Sequence, residues 1–193
     1  MTVQQDTLRH LRETSKTHMN EWLEYWMNFS NATTWQFWLN LALLVFPLIV
    51  LYFFIDKRNA LQIGFFGFNV HVWFTYVDQF GVLHGLWQYP YKVIPFMPVS
   101  FVLDVSLVPV TYMLVYQWIT KHQKNRYLYL TLLSAAFAFI FKPIMSSLDL
   151  FRLYEWMNFV YLFCGYLIVM LISIWITALF LHKQKSVVSR RSS

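Results

Sequence analysis

Thr34-Trp-Gln-Phe-Trp-Leu-Asn-Leu-Ala-Leu-Leu-Val-Phe-Pro-Leu-Ile-Val-Leu-Tyr-Phe-Phe-Ile55 contains no charged residue. A hydrocarbon core about 30 Å thick takes about 20 such residues as a helix. The run is too long for a strand and lacks apolar–polar alternation, so a helix is the form that satisfies its backbone inside lipid. Asp56, Lys57 and Arg58 close it. Beyond them the pattern repeats, with uncharged or nearly uncharged runs at 59–78, 93–120, 127–149 and 157–181. The third carries one charge, Asp104, and the fourth carries Lys142.

Composition agrees with this reading. The 193 residues are 58% hydrophobic and 12% charged, whereas soluble domains average about 45–50% and about 25%. That excludes an ordinary soluble enzyme, and 21% aromatic residues exclude a disordered chain. The net charge of +6 is scattered among apolar runs, so no nucleic-acid partner is expected. A single cysteine, Cys164, leaves no intrachain disulfide and no Cys-based metal site. The six histidines are too dispersed for a metal centre, and no metal or cofactor is expected. The fold class expected is all-α: a polytopic bundle of five transmembrane helices at 34–55, 59–78, 93–120, 127–149 and 157–181. An N-terminal segment, 1–33, precedes the domain 34–181, and a basic tail, 182–193, follows it.

The N-terminal segment reads as an amphipathic helix over residues 6–29, lying at the membrane surface. Leu8, Leu11, Met19, Trp22, Trp26 and Phe29 share one face, with Arg9, Glu13, Lys16, Glu21 and Glu24 around it. Five spans put the ends on opposite sides. Lys57, Arg58, Lys121, Lys124, Arg126, Lys183, Lys185, Arg190 and Arg191 then share a side. Positive-inside bias makes that side cytoplasmic and the N-terminus external.

Polar residues inside the spans are costly and face the bundle interior. Gln36 and Asn40 share a face of the first span; Gly64, Gly67, His71, Thr75 and Asp78 share one of the second. Ser100, Asp104 and Thr111 line the third, Ser134 and Lys142 the fourth, and Tyr154, Asn158, Tyr161 and Gly165 the fifth. At about 1.5 Å per residue, Asp104 and Lys142 reach similar depths, which predicts a buried ion pair. Most of these groups concentrate toward the outer side. The expectation is an outward polar site built from Gln36, Asn40, His71, Asp78, Ser100, Asp104, Lys142 and Asn158, with residues 81–91 across its mouth. The bland reading, hydrogen-bonded helix glue, uses the same residue types.

Two blocks, Gly85-Leu-Trp-Gln-Tyr-Pro-Tyr-Lys-Val-Ile-Pro95 and Asp104-Val-Ser-Leu-Val-Pro-Val-Thr-Tyr-Met-Leu-Val-Tyr-Gln-Trp118, together with Phe141-Lys-Pro143 and Tyr154-Glu-Trp156, carry a likeness over about Leu51 to Ile168. In them the chain resembles a family of small, uncharacterised multi-span membrane proteins of endospore-forming Gram-positive bacteria. The resemblance implies about five helices in a bacterial plasma membrane and no particular activity. An acidic residue usually precedes the proline in that family where this chain has Lys142, so the sign of a buried charge is changed here. The function expected is binding or handling of a small amphiphile, lipid or ion, with membrane lipid or an envelope protein as partner. The alternatives are an intramembrane enzyme acting on a lipid or isoprenoid, with His71, Asp78 and Asp104 as acid/base candidates, and a purely structural membrane partner.

Overall fold

The computed structural model describes residues 2–191, with side chains through residue 184. The chain is mostly helical. Helix α1 (Val3–Phe29) starts on a capping box, in which the Thr2 side chain accepts from the backbone of Gln5 while Gln5 reaches back to Thr2. Helices α2 (Trp35–Phe54) and α3 (Ala60–Leu83) follow. An irregular segment with a two-residue strand, β1 (Trp87–Gln88), leads to a π-helical turn at Leu103–Leu107 and helix α4 (Val108–Lys121). Helix α5 (Arg126–Ala136) continues through a second π-helical turn, Phe137–Phe141, into α6 (Lys142–Ser147). Strand β2 (Arg152–Leu153) pairs antiparallel with β1, and α7 (Phe159–Arg191) closes the chain.

From α2 to α7 the chain forms five helical passes: α2, α3, the stretch ending in α4, α5–α6 and α7. Three helices, Trp35–Phe54, Arg126–Ser147 and Phe159–Gln184, are long and apolar enough to cross a membrane. The other two passes, α3 and the pass ending in α4, do not meet that measure.

Three boundaries differ from those read in the sequence. The second pass runs on to Leu83 instead of ending at Asp78, because no proline intervenes before Pro90 and Gly81 lets the Trp87 ring lie against the helix. The third pass becomes helical only at residue 101, since Pro95 and Pro98 keep residues 93–100 irregular. Helix α7 continues to Arg191 through most of the segment read as a separate tail; residues 192–193 lie outside the described residues.

The two π-helical turns have a common cause. Each lies just before a proline, Pro109 or Pro143, whose missing N–H and bulky ring remove the bond to the carbonyl four residues back, Val105 or Phe139. A wider turn absorbs the lost bond and inserts an extra residue. That extra residue re-aims the side chains around it. Asp104 lies inside the first such turn and Lys142 caps the second, and both are buried.

The core is strongly aromatic. Phe74, Tyr166, Phe137 and Tyr112 form a continuous stack from α3 through α7 and the second π-helical turn to α4, with centroid separations of 5.1, 5.7 and 6.0 Å. Tyr112 ends it with a 2.7 Å hydrogen bond to Ser134. At the opposite end of the bundle from β1, Gln117 ties the α2 terminus by accepting from Asp56 N–H and donating to the Phe54 carbonyl.

Candidate functional site

The segment between α3 and the third pass does not span the mouth of a cavity as a lid; it plugs that end of the bundle. Gly85, at φ 67°, makes the left-handed turn that sends the chain back inward. Trp87 and Tyr89 are buried beneath it. His84 stays exposed, with its ring bonded to the Phe80 carbonyl.

What draws the two aromatics in is Asp78. Its Oδ1 accepts from Trp87 Nε1 at 2.8 Å and from the Tyr89 hydroxyl at 2.6 Å, while Oδ2 accepts from Ser100 N–H at 3.2 Å. Three donors stabilise a carboxylate that is 3% exposed. Tyr89 then accepts from Lys142 Nζ at 2.9 Å. The lysine head lies 3.7 Å from the Phe151 ring centroid, a cation–π contact that partly replaces its lost hydration. Lys142, Tyr89 and Asp78 thus form one relay, with a neutral hydroxyl bridging opposite charges. Burial, then the negative charge of Asp78, hold the Tyr89 hydroxyl well above its ordinary pKa, so it remains the proton donor.

The direct Asp104–Lys142 ion pair is not formed. Similar depth holds for both residues, but Tyr89 takes the lysine. Exposed acid–base contacts lie elsewhere, at His18–Glu21 and Arg152–Asp149. Asp104 is 1% exposed and neither carboxylate oxygen has a protein partner. Its backbone carbonyl is 2.7 Å from His71 Nδ1, which fixes the imidazole.

The remaining candidates separate by role. Asn40 is buried and donates to the Tyr91 carbonyl, pinning the plug to α2. Ser100 serves Asp78 and also accepts from Leu103 N–H. Gln36 is half-buried on the first turn of α2, with no hydrogen bond to the cluster. Asn158 is exposed and caps α7 by accepting from Val160 and Tyr161 N–H, so it is a structural cap and no part of the polar cluster.

A second layer holds the plug from outside. Lys92 donates through Nζ to the Met97 and Pro98 carbonyls, and its backbone N–H reaches Ser30 Oγ. The same ammonium stands 3.8 Å over the Trp22 ring, and Trp26 Nε1 donates to the Lys92 carbonyl. Burial lowers the Lys92 pKa to about 8 despite the pull of Asp78. The C-terminal half of α1 is thereby fastened to the plug.

One cleft reaches the relay. It opens at the seam between α3 and α7, with a volume of about 60 Å³. Phe74, Val77, Met157 and Leu162 line its walls together with Tyr166, and Asp78 and Lys142 are the charged residues that border it. Tyr166 is 3% exposed, and its hydroxyl has no protein partner. Gly165 keeps the seam open: a Cβ there would lie 3.8 Å from Val77, but anything larger would enter the cleft.

Of the eight ligand-site candidates, only Asp78 and Lys142 line this cleft. His71 and Asp104 stand behind it, and the oxygens of Asp78 are held by their three donors. Gly165 and Tyr161 were visible as a small–polar stripe on the fifth run. Tyr166 was not, because a tyrosine inside an apolar run gives no sign whether its hydroxyl is bonded. No family model, curated protein or solved structure matches this chain.

Proposed function

We propose that this chain is a multi-pass protein of a bacterial plasma membrane that binds the head of an amphiphile in the α3–α7 cleft. The cleft carries the reading: apolar walls at a helix seam lead inward to the buried Lys142 and Asp78. Such a site suits a molecule with a polar end and an apolar body. Phe74, Val77 and Asp78 of α3 face Tyr161, Leu162 and Gly165 of α7 across it, and on this reading a ligand enters from lipid.

The lipid setting is supported by what the helices leave outside. Phe46, Tyr52, Phe53 and Phe54 on α2, Leu61 and Phe68 on α3, Ile140, and Trp175 and Phe180 on α7 are all exposed. In water an apolar surface of that extent is an aggregation liability; in lipid it is an ordinary exterior. On this reading all five passes span, the α4 pass being sheltered by neighbours, and α1 lies at the outer interface. The basic ends at 57–58, 121–126 and 183 face the cytoplasm, with the N-terminus outside.

The experiment compares amphiphiles that co-purify with wild-type protein and with Gly165→Leu, extracted from the same membranes in mild detergent and identified by mass spectrometry. The expected result is a species retained by wild type and lost from Gly165→Leu at equal folded yield. Identical retention by both proteins would remove the cleft as a binding site.

A further inference from the structure

We infer that the free half of α1 is a docking surface for anionic phospholipid. This inference rests on the reading that α1 lies at the outer membrane interface, and it specifies which lipid holds the helix there. It is independent of the α3–α7 cleft.

The direction in which the helix faces is fixed at its C-terminal end. At about 100° per residue, Leu8, Leu11, Ser15, Met19, Trp22 and Trp26 fall within an arc of about 80°. Trp22 lies beneath the Lys92 ammonium at 3.8 Å, and Trp26 Nε1 donates to the Lys92 carbonyl at 2.8 Å. This face of α1 is therefore turned toward the plug. His18, Glu21 and Tyr25 run on beside Gln88 and Pro90 of the plug and Arg152 of β2. Helix α1 thus crosses the plug end of the bundle, and no proline breaks it on the way to its N-terminus. Residues 3–17, about 20 Å of helix, carry the same face beyond those contacts and are exposed throughout. Leu8 and Leu11 are 59% and 55% exposed.

The charges on this half are sorted by sign. Arg12 and Lys16 flank the apolar arc within about 60° of its edge, with Arg9 next to them, while Asp6 and Glu13 lie nearly opposite its centre. A helix with cations along the border of its apolar stripe seats the stripe among acyl chains and brings the cations to headgroup phosphates. The acids stay in water. Ser15 interrupts the stripe, so Leu8, Leu11 and Met19 are the apolar side chains it has to offer beyond the plug. Three such side chains hold a helix to lipid only weakly, and the cations then decide between surfaces. A zwitterionic surface gives the stripe its apolar seat but no net charge to Arg12 and Lys16; an anionic surface gives both.

The test uses the full-length protein in a Cys164→Ala background, with an environment-sensitive fluorophore on Ser15→Cys, at the centre of the arc, or on Thr17→Cys, on the water face. Both positions are exposed, so neither label disturbs the core. Each protein is placed, one copy per disc, in nanodiscs of phosphatidylcholine alone and in nanodiscs of equal parts phosphatidylcholine and phosphatidylglycerol. The label on Ser15→Cys is expected to be shielded from water, and reached by a lipid-borne quencher, in the phosphatidylglycerol discs and much less in the others. The label on Thr17→Cys should remain in water in both. Arg12→Gln and Lys16→Gln should each weaken the seating about fivefold, and high salt should weaken it as well. Equal shielding in both discs, unchanged by the two substitutions, overturns the lipid assignment and leaves α1 at the interface. A Ser15→Cys label in water in both discs refutes the interface reading too. Shielding that appears only with two copies in a disc gives the surface to a second copy of the chain and overturns the lipid assignment.

Discussion

At the scale of single residues the relay is the most constrained part of the molecule. Tyr89 is simultaneously donor to Asp78 and acceptor from Lys142, so Tyr89→Phe severs both bonds without changing the ring. We expect it to cost about 1–3 kcal/mol, the usual penalty for stranding buried partners. Lys142→Met removes one of the same bonds. The two changes together are therefore expected to be non-additive by about 0.5–3 kcal/mol in an unfolding cycle; additive losses would mean that the relay does not act as a unit. Lys92 makes a different prediction. Burial lowers its pKa to about 8 in the folded chain, against 10.5 for an ordinary lysine. Between those values the unfolded chain holds the proton that the folded one has released, so stability is expected to rise with pH across that window and to be flat below it. Over the same range the cation leaves the Trp22 ring. Tryptophan fluorescence should therefore change with a midpoint near pH 8, and Lys92→Met should abolish both effects.

At the scale of elements, close approach is enforced at two glycines. A Cβ at Gly81 would overlap the Trp87 ring, and one at Gly67 would overlap the Met113 side chain. Gly81→Ala is expected to push Trp87 away from Asp78 at a cost of about 1–3 kcal/mol, read as a lowered Tm together with a shifted tryptophan emission. A bonded, buried Trp87 in that variant would show that the helix moves instead. This is also where reading the sequence worked unevenly. Hydropathy located the runs because burial in lipid demands length and apolarity, which are written in composition. It misplaced the start of the third pass, because Pro95 and Pro98 are two prolines in an apolar stretch whose effect depends on what fills the space beneath them. It also set Asp104 against Lys142 by counting turns at a uniform rise. The π-helical turns before Pro109 and Pro143 break that uniformity, and Tyr89 arrives from a segment whose fold depends on Asp78.

At the scale of the whole molecule, the polar cost is concentrated at one end, where the plug, the relay and the C-terminal half of α1 meet. Whether that end is external is tested by single cysteines in a Cys164→Ala background. Asn20→Cys and His84→Cys should react with an impermeant maleimide on intact cells, and Gln123→Cys only after permeabilisation, all three positions being exposed. The opposite pattern would invert the topology and turn the cleft toward the cytoplasmic leaflet. The small–polar stripes in the sequence pointed to a polar end. They left open which groups line a void and which merely tie helices together, because that depends on packing: Asn158 turned out to cap a helix, while Tyr166 turned out to border the cleft.

Unequal apolarity among the five passes has a consequence for how the protein is made. Helices α2, α5–α6 and α7 carry the length and hydropathy to cross a membrane, whereas α3 and the α4 pass bring Asp78 and Asp104, and the cation of the Asp78 relay comes from a later helix. Lys142 is synthesised later than both. If the five passes span as proposed, the early carboxyls are expected to wait, at the insertion machinery or at the membrane surface, for the fourth pass to emerge. A nascent chain halted at residue 121 should hold its second and third passes loosely enough to be extracted by alkali, and one halted beyond residue 181 should not. Biogenesis would then be a late, concerted docking in which the final hairpin commits what precedes it.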